Sequence, residues 1–79
     1  MRITEARVLV FLEKSHKYIH NVSNISARLD KSYDTIAKCL NVMLAKGYIK
    51  KYISNGKNYY EISAKDFLKE AKEVLSGVK

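Results

Sequence analysis

The dipeptide Asn55-Gly56, which stands between two runs of strand-forming residues, constrains the fold of this chain more than any other feature. An Asn-Gly pair in this setting is the strongest short-range signal for a tight β-hairpin, because both residues tolerate the positive φ angles of a two-residue turn. Counting outward from the turn predicts the cross-strand pairs Ser54–Lys57, Ile53–Asn58, Tyr52–Tyr59, Lys51–Tyr60, Lys50–Glu61 and Ile49–Ile62. The sequence therefore predicts an antiparallel hairpin over residues 48–63.

This register gives the predicted hairpin one face for the core and one for solvent. Ile49, Tyr60 and Ile62 share the face that we expect to point to the core, since successive side chains of a strand point to opposite sides. Tyr52 and Tyr59 oppose each other on the second face, where a structural pair is favoured over a platform for stacking bases. The polar residues around the turn predict a tip that projects into solvent.

The first predicted helix is apolar on two sides. It would start from Thr4 as its N-cap and run to about Lys14, and its apolar residues occupy more than one stripe. One side would face the core. The second apolar side would have to pack against something else, and a partner chain is one candidate. Beyond it the helical period is lost, and Tyr18 and Ile19 are predicted to form a very short strand.

Two further helices are predicted on either side of a tight turn. The segment VSNISARL has a short amphipathic period, with Asn21 as its N-cap. Asp30 tolerates the left-handed conformation that stops a helix. Ser32 would then cap the helix YDTIAKCLNVMLAK, and Gly47 would end it. The core-facing stripe of this third helix consists of Ile36, Leu40, Met43 and Leu44.

A last amphipathic helix is predicted after the hairpin. Ser63 would open it in a start that resembles a capping box, and Gly77 would end it. Its acids nearly balance its lysines, so packing on the first helix, within the chain or across a two-fold axis, is favoured over membrane binding. No apolar run in the sequence approaches the roughly 18 residues of a membrane span.

The positive charge is concentrated in the middle of the chain. The formal net charge is +7 over 79 residues. From Arg28 to Lys57 the chain holds seven lysines and arginines but only two acidic residues. The rest of the chain holds eight lysines and arginines and six acidic residues. Such a charge balance favours an anionic partner, nucleic acid before a membrane surface.

The sequence offers little for catalysis or for a metal. It has no glycine-rich phosphate loop and no nucleophile with a base near it, so we expect no enzymatic activity. His16, His20 and Cys39 do not make the three or four converging ligands of a metal site, and no cofactor is expected. The single cysteine is interpreted as a small, semi-buried residue and is compatible with a reducing cytoplasm.

Residues 4–63 resemble the winged helix-turn-helix superfamily, most closely the MarR-like and related archaeal or viral regulators. The resemblance is carried by VSNISARL, the turn DKS, the helix ending in KGYI, and the hairpin KKYISNGKNYYEIS. It implies an α+β, mostly helical fold: a helix, a short strand, a helix-turn-helix, a two-stranded wing and a C-terminal helix. One domain would cover residues 1–79, divided into the helix-turn-helix (21–47), the wing (48–63) and the last helix (64–76).

The resemblance also implies which residues meet DNA. The third helix, residues 33–46, would be a recognition helix in the major groove, and Ser32 would meet a phosphate. We call its predicted DNA-facing residues the recognition face: Tyr33, Asp34, Thr35, Ala37, Lys38 and Asn41. In the wing, Lys51, Asn55, Gly56 and Lys57 would lie on the sugar-phosphate backbone or in the minor groove.

The predicted function is sequence-specific binding of double-stranded DNA to regulate transcription, by a cytoplasmic protein acting on chromosomal, plasmid or viral DNA. We expect a homodimer through the first and last helices and no membrane partner. Two alternatives stay open. One is a winged helix that binds a protein, for which Asp34 and Val42 would be the cue. The other is sequence-neutral DNA architecture or replication control.

Overall fold

The structure is a computed structural model that describes residues 1–15 and 20–77. It contains α1 (Ile3–Lys14), α2 (Val22–Leu29), α3 (Tyr33–Lys46), β1 (Ile49–Ser54), β2 (Lys57–Ile62) and α4 (Lys65–Ser76). The two strands form one antiparallel sheet. The short strand predicted at Tyr18 and Ile19 lies outside the described residues. Within the described part of the chain, no helix is long and apolar enough to cross a bilayer.

One hydrophobic core joins all four helices to the base of the hairpin. Its buried side chains are Ala6, Val8, Leu9, Leu12, Ile25, Leu29, Ile36, Leu40, Met43, Ile49, Tyr60 and Ala71. The apolar side chains predicted for the core side of α3 and of the hairpin are buried or half-buried there. Burial of apolar surface on this scale is the main term that holds so small a chain together.

Helix α1 begins earlier than predicted, so the assignment of Thr4 as its N-cap is wrong. The N-cap is Arg2, and the carboxylate of Glu5 accepts a hydrogen bond from the Arg2 backbone N–H at 2.8 Å. A glutamate three residues into a helix satisfies the cap amide in this way. Thr4 instead lies in the first turn, half-buried.

The second apolar side of α1 is covered by α4 of the same chain. These two helices make the most extensive helix–helix contact in the fold. The ammonium of Lys72 lies 3.4 Å from the carboxylate of Glu13 along the same contact. The sequence left open whether the last helix packs on the first within one chain or across a two-fold axis. The packing within one chain is therefore present.

Helices α2 and α3 are capped and ended by the predicted residues. Asn21 Oδ1 accepts from the Asn24 backbone N–H at 3.0 Å, which caps α2. Asp30 ends α2 with φ 55°, and Gly47 ends α3 with φ 79°. Ser32 Oγ accepts from the Thr35 backbone N–H at 3.1 Å and caps α3. The capping hydrogen bonds fix where the two helices start, and the left-handed residues fix where they stop.

All six predicted pairs of the hairpin are present, from Ser54–Lys57 at the turn to Ile49–Ile62 at the base. Asn55 and Gly56 adopt φ 51° and 76°. Two backbone hydrogen bonds anchor the hairpin: Tyr60 N–H donates to the His20 carbonyl at 2.9 Å, and Ser63 N–H donates to the Tyr48 carbonyl at 3.0 Å. The tip extends beyond these anchors and is exposed.

Helix α4 begins one residue later than its predicted opening at Ser63. Its N-cap is Ala64, whose side chain cannot accept a hydrogen bond, so the predicted capping box is absent. The Ser63 N–H is engaged at the base of the hairpin instead. Packing orients this helix, since the rings of Phe67 and Tyr48 meet edge-to-face at 5.0 Å. Gly77 ends it in a right-handed conformation.

Candidate nucleic-acid interface

The outward side of α3 presents the recognition face to solvent. On the inward side, Ile36, Leu40 and Met43 are fully buried, which fixes the rotation of the helix about its axis. Because of this rotation, Tyr33, Asp34, Thr35, Lys38 and Asn41 are exposed and Ala37 is half-buried. Exposure of hydrogen-bonding side chains along one helix face is the first requirement for contact with base edges in a groove.

Ser32 and Thr35 are already engaged with each other at the start of α3. Besides capping the helix, the Ser32 hydroxyl donates to Thr35 Oγ1 at 2.7 Å. This contact orients the Thr35 side chain. The Ser32 hydroxyl therefore has a structural role whether or not it meets a phosphate.

A cleft of about 270 Å³ lies between the start of α1 and one flank of the recognition face. We call it the α1 cleft, and its lining residues are Arg2, Thr4, Glu5, Thr35, Lys38, Cys39 and Val42. It brings Arg2 next to Lys38, although 36 positions separate them in the chain. No local sequence pattern marks Arg2, because only the fold places it beside α3.

A second cleft, of about 380 Å³, lies on another part of the surface, between α2, the first residue of α3 and the hairpin. We call it the hairpin cleft, and it is lined by Asn21, Val22, Ser23, Asn24, Tyr33, Lys57 and Asn58. Tyr33 and Lys57 were predicted to bind DNA separately, and here they share one cleft. The sequence alone does not mark Ser23, Asn24 or Asn58 as binding residues, and it predicts Asn21 only as a cap.

The lysines of the hairpin are available to an external partner. Lys50, Lys51 and Lys57 are all exposed. Lys50 stands opposite Glu61 in the register, yet no salt bridge joins them within residues 49–62, all of which the structure describes. Tyr52 and Tyr59 stack on each other with ring centroids 5.7 Å apart. This is the structural pairing that the sequence favoured for the two rings.

Lys46, by contrast, is engaged within the protein. Its ammonium lies 3.4 Å from the buried carboxylate of Glu5, and it sits 5.7 Å from the centre of the Tyr48 ring. Two of the cations around α3 thus have different environments: Lys46 pairs with an acid, whereas Lys38 lies on the exposed flank of the α1 cleft.

Burial shifts the pKa of two ionisable side chains near the interface. Burial raises the pKa of the Cys39 thiol, and the negative charge of Glu5 raises that pKa further. Burial likewise raises the pKa of Tyr60, with a smaller contribution in the same direction from Tyr33. Cys39 is half-buried, as predicted, and its Sγ lies 3.7 Å from Met43 Sδ.

Among residues 1–15 and 20–77, no three His, Cys, Asp or Glu side chains are grouped so that they could hold a metal ion. His20 is buried, with Nε2 3.1 Å from the Ser15 carbonyl oxygen and its ring against Phe11. His16 lies outside the described residues.

Comparisons with known proteins identify the fold. No protein-family model and no curated protein matches the sequence. A point mutant of ZitR from Lactococcus lactis superimposes with a TM-score of 0.74 at 20% identity; the match covers 92% of this chain and 49% of that one. Reduced HlyU from Vibrio cholerae superimposes with a TM-score of 0.60 at 15% identity, covering 91% and 86%. Both are winged-helix transcriptional regulators.

The chain therefore has a winged-helix fold, in which α2 and α3 form the helix-turn-helix and the hairpin forms the wing. The predicted fold class is confirmed. At these identities the likeness concerns the fold alone, and this chain spans about half the length of the ZitR chain. The MarR-like assignment stays a prediction.

Proposed function

We propose that this protein regulates transcription by binding double-stranded DNA in a sequence-specific way. The observation that carries the proposal is the recognition face, which is exposed, rich in hydrogen-bonding groups and flanked by exposed cations. The likeness to two winged-helix regulators supports it. In this proposal a single domain over residues 1–79 acts on chromosomal, plasmid or viral DNA in the cytoplasm, with residues 21–47 as the helix-turn-helix, 48–63 as the wing and 64–76 as the C-terminal helix.

In this proposal, residues 33–46 lie in the major groove and read base edges. Lys38 would donate to a guanine, and Asn41 would offer both a donor and an acceptor to an adenine. Asp34 would accept from a cytosine amino group, and Ala37 and the methyl of Thr35 would touch thymine methyls. Such a mixture of donors, acceptors and small apolar groups distinguishes base pairs better than a purely cationic surface.

The wing would bind the sugar-phosphate backbone or the minor groove beside the recognition helix. Lys51 and Lys57 are exposed on the hairpin, and the turn at Asn55 and Gly56 is its outermost part. Each lysine that neutralises a phosphate releases condensed counterions, so binding should weaken as salt rises. Ser32 at the start of α3 and Arg2 in the α1 cleft would add further contacts to the DNA backbone.

We also propose that the protein binds DNA as a homodimer through α1 and α4. Val10 and Phe11 on α1, and Phe67, Val74 and Leu75 on α4, are only half-buried within one chain. A second copy could cover the rest of this apolar surface. Sedimentation equilibrium tests this point, and a protein that stays monomeric at concentrations at which it saturates a palindromic duplex would contradict it.

The decisive experiment is selection of bound duplexes from a random pool, followed by mobility-shift titration of a selected and a random duplex at several salt concentrations. We expect enrichment of one sequence and a linear fall of log affinity with log salt. Equal affinity for both duplexes would favour the architectural alternative, and no binding to any duplex would overturn the proposal.

A protein-binding role is a second candidate, favoured by apolar exposure near the α1 cleft. Val42 on α3 is 46% exposed and Ile3 on α1 is 50% exposed. A winged helix that packs α3 on a protein would bury such residues. Capture of a partner from a nuclease-treated lysate, lost on Val42→Asp substitution, would support this alternative if no duplex is bound.

A further inference from the structure

We infer that the hairpin cleft holds a single phosphate of the DNA backbone, contacted at once by Tyr33 and Lys57. The inference rests on the proposed function and refines it in one respect. Tyr33 was predicted to read bases and Lys57 to reach the backbone or the minor groove at the wing tip. The cleft instead assigns both to the same phosphodiester, so neither would carry sequence information.

Three separate elements bring their side chains together in this cleft. Asn21, Ser23 and Asn24 come from the start of α2, Tyr33 is the first residue of α3, and Lys57 and Asn58 open β2. The relative position of these elements is fixed by the core and by the hydrogen bond from Tyr60 N–H to the His20 carbonyl. The cleft is therefore part of the folded scaffold.

The chemistry of the lining fits an anion whose atoms only accept hydrogen bonds. Asparagine amides, the hydroxyls of Ser23 and Tyr33, and the Lys57 ammonium can all donate. Asn21 Oδ1 is engaged in capping α2, which leaves its NH₂ group as the part it can offer a ligand. Among the described lining residues there is no acidic side chain to repel a phosphate.

The position of the cleft favours a phosphate that belongs to DNA over a free ion. Tyr33 belongs both to the cleft and to the recognition face, so a duplex lying against α3 would bring its backbone alongside. Ser23, Lys57 and Asn58 are exposed, and water competes with a small free ion for such groups. A duplex delivers its phosphate together with many other contacts, and cooperating contacts of this kind position the protein on the helix.

The test compares variants on the selected and the random duplex. Tyr33→Phe, Asn24→Ala, Asn58→Ala and Lys57→Met should each weaken binding to both duplexes by the same factor, roughly threefold to tenfold. Lys57→Met should also lower the salt slope by about 1. The double variant Tyr33→Phe/Lys57→Met should lose less affinity than the product of the two single losses, because both residues serve one phosphate.

Lys50→Met provides the matched control, since Lys50 is an exposed lysine of the same hairpin that does not line the cleft. In the double variant Tyr33→Phe/Lys50→Met, the loss of affinity should equal the product of the two single losses. Far-ultraviolet circular dichroism of every variant checks that the fold is retained. A loss of preference for the selected duplex in Tyr33→Phe would overturn the inference, as would simple multiplication of the Tyr33 and Lys57 effects.

A scan with neutral methylphosphonate linkages locates the phosphate on the DNA. At one backbone position the neutral linkage should weaken binding of the wild-type protein more than that of Lys57→Met, in which only the uncharged contacts to that phosphate remain. A titration with inorganic phosphate tests for a free ion. The NMR signals of the Ser23 and Asn24 amides report its binding. Saturation by inorganic phosphate, with DNA affinity unchanged in all the variants, would assign the cleft to a free anion instead.

The two levels of the proposal fail in different ways. If the wild-type protein binds no duplex, the proposed function itself is wrong. If the wild-type protein binds a selected duplex but the cleft variants bind it equally well, only the assignment of the hairpin cleft is wrong.

Discussion

The ammonium of Lys46 lies 3.4 Å from Oε2 of Glu5, so an ion pair joins the last turn of α3 to the first turn of α1. The Glu5 side chain is 1% exposed, whereas that of Lys46 is 43% exposed. The same carboxylate caps α1 by accepting from Arg2 N–H. One buried acid therefore holds the start of α1 against the helix that carries the recognition face.

Replacing Glu5 with alanine should destabilise the protein far more than replacing a comparable exposed acid. We expect Glu5→Ala to lower the free energy of unfolding by roughly 2–3 kcal/mol, since it removes buried packing and a hydrogen-bond acceptor for Arg2 N–H. Glu13→Ala is the control, because Glu13 also pairs with a lysine at 3.4 Å but is 35% exposed; its cost should be about 0.5 kcal/mol. Urea unfolding measures both, and equal costs would contradict this account.

Ser32 should affect stability and DNA binding through separable routes. Ser32→Ala removes the cap of α3 and should cost about 1 kcal/mol in the free energy of unfolding. Ser32→Asp keeps a capping oxygen but places a negative charge where we predict a phosphate. Thermal unfolding and mobility shift together should give a stable Asp variant that binds DNA more weakly than wild type. An Asp variant that binds as tightly as wild type would remove Ser32 from the interface.

Lys38 and Arg2 should differ in what they contribute to DNA binding, although both line the α1 cleft. Lys38→Ala should weaken the binding free energy for the selected duplex by about 1–3 kcal/mol, because Lys38 is predicted to reach a base edge. The protein's preference for the selected over the random duplex should fall as well. Arg2→Ala should weaken both duplexes alike and flatten the salt dependence. Mobility-shift titration of each variant on both duplexes distinguishes the two roles. The assignment is wrong if Lys38→Ala leaves the preference unchanged.

Cys39 should react slowly with thiol reagents at neutral pH. Burial, aided by Glu5, raises the pKa of this thiol above that of a free cysteine, so little thiolate is present near pH 7. Its labelling rate by a neutral disulfide should keep rising with pH after that of a free cysteine has levelled off. Rapid labelling of the folded protein at pH 7 would contradict the burial of the thiol.

The same shift sets the sign of a pH effect on stability. As the pH rises through about 8.5, the ordinary pKa of a cysteine, the thiol ionises first in the unfolded state. The contribution of Cys39 to stability is therefore complete below that pH and is lost as the pH rises toward the folded-state pKa. Cys39→Ala should show a shallower loss of stability across this alkaline range in unfolding curves measured at successive pH values.

Features set by neighbouring residues could be predicted from the sequence. The bounds of α3, its cap at Ser32, its end at Gly47 and the register around Asn55 all depend on residues within a few positions of one another. Short-range chemistry of this kind is legible in a single sequence.

Features set by distant residues could not be predicted in this way. Thr4 is a reasonable cap by residue type, but the start of α1 is fixed by Glu5, which is buried against Lys46 from another helix. Ser63 is equally reasonable as a cap, but its N–H is bound to the Tyr48 carbonyl at the base of the hairpin. The two clefts beside α3 likewise join residues that only the fold brings together.

The contact between α1 and α4 has a consequence for how the chain folds. It joins helices from opposite ends of the sequence, as in the Lys72–Glu13 pair, whose members are 59 positions apart. Closing so long a loop carries an entropic penalty before any contact offsets it. We therefore expect α4 to dock late on the folding pathway, and a nascent chain that lacks α4 to expose the apolar side of α1 to aggregation.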